Sequence, residues 1–285
     1  VPEIIPERLI FTAMALNTTG WNLSRIIGPA IAGLLIAWLA GGDKTSAYGV
    51  GIVYLVIASL YLFSALTVLK VDRPGKAVRN RDGGSLSDMQ EGLRYVLAHP
   101  QVFALIVLSI LPFLFGMPLN TLLPAFNQDV LHGHADDLGY LISAMGGGAI
   151  IGSLLMAAMG DLRRKGFWLI VSCLSWGVVT AAFGAFDMQL VALALIALIG
   201  MLSSWNMSLN RGMLQMAVAG HMRGRIMSID MMAHGLMPLG VFPISLVAEY
   251  HGVGAALVVS GFALMIITLL AIFFLPSVRR TLRAE

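Results

Sequence analysis

Hydrophobic positions along this chain come in long blocks separated by short polar turns. Crossing the hydrocarbon layer of a bilayer takes about 20 mostly apolar residues in a helix. Eight blocks meet that length, at about 13–40, 48–69, 101–127, 138–159, 167–186, 189–216, 226–248 and 253–275. One interval differs from all the other turns. From Lys70 to His99 the chain reads as ordinary soluble sequence, with six basic residues against four acidic ones. Its first half, with Pro74, Gly75, Gly83 and Gly84, has the composition of a linker. Its second half predicts an amphipathic helix: Ser85 or Ser87 can cap it, Asp88 and Glu91 sit in its first turns, and Leu86, Met89, Leu93 and Val96 share a face. Two blocks precede this loop and six follow it. The expected fold is an all-α polytopic membrane protein divided at 1–69, 70–99, 100–276 and a tail at 277–285.

Composition agrees and excludes other classes. Of the 285 residues 58% are hydrophobic and 12% charged, against about 25% charged in an average soluble domain. A single core could not bury that much apolar surface, so lipid must solvate most of it. Basic residues then orient the chain. Fifteen of the 18 Lys and Arg fall at the N-terminus, the 70–99 loop, the 160–166 and 219–225 turns and the C-terminal tail. The alternate turns hold only Lys44, whereas Arg25 and Arg211 lie within spans. This places both termini of the chain in the cytoplasm and the protein in the plasma membrane. The net charge of +3 is a topology signal of this kind, with no implication of nucleic-acid binding. Cys173 is the only cysteine and lies in a span, so there is no disulfide framework or CxxC site.

Candidate chemistry is confined to polar residues inside the spans. Arg25 shares a face with Thr18, Asn22 and Pro29. A charge in a span marks function by default, although this one is close enough to the interface to snorkel. Pro112, Gly116, Pro118 and Pro124 predict a kinked or discontinuous third span, with Asn120 and Thr121 beside the break as substrate contacts or as partners for freed carbonyls. The fourth span is a packing helix: Ala144, Gly148 and Gly152 repeat every four residues, flanked by Ser143 and Gly147. The fifth, with Cys173 and Trp176, reads as peripheral. In the sixth, Ser203, Asn206 and Asn210 share one face and Ser204, Ser208 and Arg211 the adjacent one, a stripe that must face a cavity or other helices. The seventh places Asp230 and His234 one turn apart, as an ion- or proton-coupling pair would be. His132, His134, Asp136 and Asp137 form a solvated outer turn, with a metal site the weaker reading. No cofactor or metal is expected, nor any catalytic set.

These features together resemble the major facilitator superfamily, whose transporters join two six-helix halves by a long basic cytoplasmic loop. Gly20, Gly28, Pro29 and Gly33 are similar to the glycine–proline motif of superfamily antiporters, and Asp161, Arg163, Arg164 and Lys165 resemble a degenerate form of a basic loop motif. Gly92-Leu93-Arg94-Tyr95-Val96, Leu122-Leu123-Pro124 and Gln215 with Met222-Arg223-Gly224-Arg225 resemble the branch containing enterobactin exporters and macrolide-efflux proteins. The resemblance implies that these eight spans are helices five to twelve of twelve. It implies a cavity lined by Asn120, Thr121, Ser203, Asn206, Asn210 and Arg211, with Arg25, Asp230 and His234 in coupling or gating. Gly20, Gly28, Pro29 and Gly33 would then pack against Gly147, Gly148 and Gly152 across the interface between halves. The expected activity is export of a hydrophobic or amphipathic small molecule, siderophore- or macrolide-like, by proton antiport and alternating access, in a protein monomeric when full length. Its partners would be the lipid bilayer, the substrate and protons. A polytopic enzyme built on Asp230 and His234, or a membrane interaction protein complete at eight spans, are the alternatives.

Overall fold

In the computed structural model, the described residues are scattered positions between 12 and 35, then 47–69, 85–159 and 164–281. The chain divides into two compact units, residues 23–82 and residues 1–22 with 83–285. In the first, helix α1 (Ala47–Leu69) is apolar on all sides, and Tyr54, Leu55, Tyr61 and Phe63 all point outward. A helix without a polar face suits a lipid environment.

The second unit holds the rest: α2 (Ser85–Ala98), α3 (Pro100–Phe115), α4 (Pro118–Asp129), α5 (Ala135–Ala158), α6 (Lys165–Ala185), α7 (Gln189–Ala217), α8 (Arg223–Met232), α9 (Met237–His251), α10 (Val253–Phe274) and α11 (Pro276–Thr281). Six helical stretches in it are long and apolar enough to cross a membrane, matching the six blocks expected after the loop. The third expected span is broken into α3 and α4 at Gly116–Met117, as its prolines predict. Gly116 and Met117 both donate to Pro112 O, and the Ser260 hydroxyl from α10 donates to Phe115 O at 2.5 Å. The freed end of α3 is thereby satisfied from a neighbouring helix. The seventh expected span is also broken. Its pieces α8 and α9 are separated by a 3-10 turn at Ala233–Leu236, an interruption that the sequence reading of one continuous span over 226–248 did not contain.

Helix pairs are set by small residues. A Cβ on Gly148 would stand 1.8 Å from Ala197 O, one on Gly152 2.5 Å from Met201 O, and one on Gly200 1.9 Å from Met145 O, so α5 and α7 touch backbone to backbone. Gly177 faces Gly261 and Gly184 faces Gly254 in the same way, locking α6 against α10. Two expectations change here. Gly148 and Gly152 pack against α7, whereas a Cβ on Gly147 meets no atom within 4 Å among the described residues. Helix α6 is not peripheral: Cys173, Trp176, Thr180 and Phe183 are buried in the core, and the Trp176 ring sits against Gly116 at the α3–α4 break.

The loop helix α2 forms over the expected residues, but a different face is buried. Gly92 and Val96 turn inward, Gly92 against Ile229 of α8, while Met89 and Leu93 stay exposed. Arg225 of α8 fixes this rotation through ion pairs to Asp88 at 2.6 Å and Glu91 at 3.0 Å. Tyr95 adds a hydroxyl that accepts from Ala219 N.

Candidate functional site: a polar cleft between α3 and α7

Helices α3 and α7 enclose a narrow cleft lined by Ser109, Pro112, Phe113, Asn206, Met207, Asn210 and Arg211. Sequence periodicity explains the α7 wall: Asn206 and Asn210 are one turn apart, with Met207 and Arg211 on the adjoining face. On α3, Ser109 precedes Pro112 by one turn and is brought opposite them.

Behind the cleft lies an acid. Asp230 on α8 is 1% exposed, and Ser109 Oγ donates to its Oδ1 at 2.6 Å. A carboxylate buried at membrane depth persists only with hydrogen-bonding partners or by taking up a proton. Asn210 is 3% exposed, and its Oδ1 has no hydrogen-bond partner among the described residues. A buried acceptor left in this state is a binding determinant in waiting, because satisfying it recovers its desolvation cost.

Asn206 is placed differently. Its Nδ2 donates to Leu169 O and Ser172 Oγ of α6, so this amide ties α7 to α6 even as it lines the cleft. Ser203 Oγ donates back to Gly200 O within its own helix. Asn120 is half-buried with its amide on Met117 Sδ, and Thr121 is exposed. Both belong to α4 beyond the break and neither lines the cleft. The structure thus gathers Asn206, Asn210 and Arg211, adds Ser109, and leaves Asn120, Thr121 and Ser203 outside.

Of the remaining expected residues, Arg25, Pro29, Gly33, Asp161 and Arg163 lie outside the described residues, as does the His234 side chain. Gly20 and Gly28 are helical, and a Cβ on either meets nothing within 4 Å among the described residues. Arg164 has the left-handed backbone (φ 60°) that starts α6, and Lys165 is the first residue of that helix. On the opposite end of the bundle, Asp137 accepts from His134 N at 2.8 Å and from Gln189 Nε2, closing the turn into α5. Among the described residues no group of His, Cys, Asp or Glu could hold a metal ion.

Ser109 escaped the sequence reading because a lone serine in an apolar span carries no periodic signal. One more hydroxyl was missed on α5. Ser153 donates to Ile150 O and is hydrogen-bonded to Thr19 of the first block, a polar link between that segment and α5.

A broken, proline-bearing helix facing a polar-striped one, within a bundle of helices long and apolar enough to cross a membrane, defines a polytopic membrane protein. The chain belongs to the transmembrane secretion effector family of the major facilitator superfamily, whose family model matches residues 1–282. It is similar to macrolide efflux protein A of Streptococcus pyogenes, 22% identical over 264 residues, covering 91% of this chain and 63% of that protein. The staphyloferrin A transporter of Staphylococcus aureus is 26% identical over 273 residues, covering 96% and 66%. The multidrug efflux pump Tap of Mycolicibacterium fortuitum is 24% identical over 261 residues, covering 91% and 62%. The chain therefore spans just under two thirds of the length of these relatives. Family and relatives are transporters and not enzymes, which removes the reading of Asp230 and His234 as a catalytic pair.

Proposed function

We propose that this chain provides the second half and the adjoining helices of a secondary active exporter for hydrophobic or amphipathic small molecules, driven by proton antiport through alternating access. One observation carries the reading: a carboxyl group buried to 1% exposure, hydrogen-bonded to a serine that itself lines a polar cleft. Gain or loss of one proton at Asp230 changes the charge at the back of that cleft, in a medium where charge is costly. The relatives named for macrolides, for a siderophore and for multiple drugs support an amphipathic substrate. Arg211 and Asn210 would meet it, with Arg25 and His234 in gating roles and the protein acting as a monomer in the plasma membrane.

The test separates coupling from binding. In proteoliposomes containing the full-length protein, Asp230→Asn should abolish uphill export of a radiolabelled macrolide driven by a pH gradient while leaving downhill exchange within about threefold of the parent. Uphill export at the parental rate would refute a coupling role. Arg211→Ala should lower uphill and downhill rates together, with membrane abundance unchanged. The expected orientation is checked by thiol labelling in a Cys173→Ser background, where cysteine at His134 should react with an impermeant reagent from outside and cysteine at Arg164 should not.

A further inference from the structure

The C-terminal end of α10 is shaped by the short helix α11 that follows it. Leu275 turns the chain in an extended conformation (φ −103°, ψ 101°), and Pro276 opens α11 as its first residue. Val278 is fully buried, which pins α11 where it packs against α3 and α10. The next residue, Arg279, is exposed and lines a groove with Ile266, Leu269, Leu270, Ile272 and Phe273 of α10. Ile266, Leu269, Leu270 and Phe273 follow at i, i+3, i+4 and i+7, so they form one stripe along the last turns of the helix. All four are exposed. The groove encloses about 550 Å³, within the roughly 300–1,000 Å³ of pockets that take small organic ligands.

Apolar wall and cation stand at different depths. The stripe belongs to a helix of membrane-spanning length and composition, so acyl chains surround it. Arg279 lies beyond Phe274, the last residue of that span, where headgroups begin. None of the three helices that meet here, α3, α10 and α11, carries an acidic residue, and Arg280 and Arg283 follow in sequence. Among the described residues Arg279 has no ion-pair partner. The counter-anion of this site must come from outside the bundle.

We propose that the groove binds an anionic phospholipid of the leaflet surrounding this end of α10. One acyl chain lies along the stripe, and the phosphate is held by the Arg279 guanidinium, whose paired N–H donors match phosphate oxygens. A zwitterionic lipid brings its own counter-cation and gains less from the site. A cationic amphiphile is repelled by Arg279. The bound lipid ties α11 to α10 across the turn at Leu275 and Pro276. The groove shares no lining residue with the cleft between α3 and α7, so the inference stands apart from the proposed transport function.

Photocrosslinking tests it. The full-length protein is placed in nanodiscs with a trace of phosphatidylglycerol or of phosphatidylcholine, each bearing the same diazirine-labelled acyl chain. Adducts mapped to residues 266–273 are normalised to those on α1, whose Tyr54, Leu55, Tyr61 and Phe63 also point outward. Phosphatidylglycerol should label the groove about fivefold more than phosphatidylcholine does, the preference that one arginine near the surface supplies. Arg279→Gln should bring that ratio to about one, whereas Arg279→Lys should keep part of it, because the charge remains and the planar fork is lost. Leu270→Trp fills the groove with every charge in place and should also remove the preference. Equal labelling by the two lipids in the parent, or a preference that survives Arg279→Gln, overturns the proposal. A preference that survives Leu270→Trp overturns the groove as the binding element. Loss of the preference in excess soluble glycerol phosphate would show that free phosphate suffices, and would overturn the lipid assignment. Labelling of α1 with no adduct at residues 266–273 from either lipid would mean that protein covers the groove, and would overturn it equally.

Discussion

The α6–α10 and α5–α7 pairs and the interrupted α8–α9 segment are both built from membrane-spanning sequence, yet they are held by different physics. In the pairs, glycines let backbones meet: Gly177 against Gly261, Gly184 against Gly254, Gly148 against Ala197 and Gly200 against Met145. Lipid tails are as apolar as leucine, so close van der Waals packing of this kind supplies the association energy. In α8 only Ile226 and Asp230 are buried, and in α9 only Gly240 and Ile244. The polar ties of this segment are the Ser109–Asp230 bond and the Arg225 ion pairs, while α9 packs along α10 and brings Gly240 against Leu114 O. Hydrogen bonds and ion pairs of this kind can be exchanged singly, whereas helices that meet backbone to backbone, the frame of the bundle, must shift together.

The largest expected effect breaks the frame. Gly200→Ala forces a Cβ to within 1.9 Å of Met145 O, a backbone atom that cannot rotate away, so α5 and α7 must separate. Overpacking of this type costs about 3 kcal/mol or more. Folded yield and thermal unfolding in detergent should both fall sharply. Gly147→Ala, one residue along α5 from Gly148 and open on its Cβ side among the described residues, should be neutral or slightly stabilising, since alanine favours helix by about 1 kcal/mol over glycine. Equal losses in the two variants would remove the distinction between a packed and an open face.

A smaller effect is expected where frame meets break. Ser260 on α10 donates to Phe115 O at the end of α3, and Ser260→Ala leaves that carbonyl without this donor. A loss of about 1 kcal/mol follows from the deleted bond, read as a lowered unfolding midpoint. Hydrogen exchange should rise at Gly116 and Met117, beside the break. Faster exchange spread evenly over α3 and α10 would instead mean that the serine serves helix packing and not the break.

How much of this was legible follows from the range of each interaction. The six spans after the loop and the α3–α4 break come from local signals, hydrophobic length and Pro112, Gly116 and Pro118, so the sequence carries them. The α8–α9 break does carry signals, Gly235 within the 3-10 turn and Pro238 in the first turn of α9, which the reading of one continuous span passed over. The glycine stripe of α5 identifies a packing face but not its partner; Gly148 and Gly152 meet Ala197 and Met201 of α7. Helix α6 was misjudged because small residues Gly177, Ala181 and Gly184 matter only opposite Gly254 and Gly261, far along the chain. At the site, Asn206, Asn210 and Arg211 were found by helical spacing. Ser109 was not, since its significance is its bond to a residue 121 positions away.

The smallest expected effect concerns the far end of α8. Arg225 reaches Asp88 and Glu91 on α2, but the two carboxylate side chains are about half exposed. Pairs in such surroundings contribute about 0–1 kcal/mol and are screened by salt. Arg225→Gln should therefore leave the unfolding midpoint within about 1 °C, well below the Gly200 effect. Its consequence is positional. Gly92 and Val96 give α2 only a narrow buried edge against α8, with Met89 and Leu93 left exposed, so the ion pairs set which face of α2 turns inward. Spin labels on α2 and α8 should report one narrow distance distribution in the parent and a broadened one in Arg225→Gln. High salt should broaden the parental distribution in the same way. If the variant keeps the narrow distribution, the Gly92–Ile229 contact alone positions α2, and α8 is coupled to α2 through packing, as the frame helices are to each other.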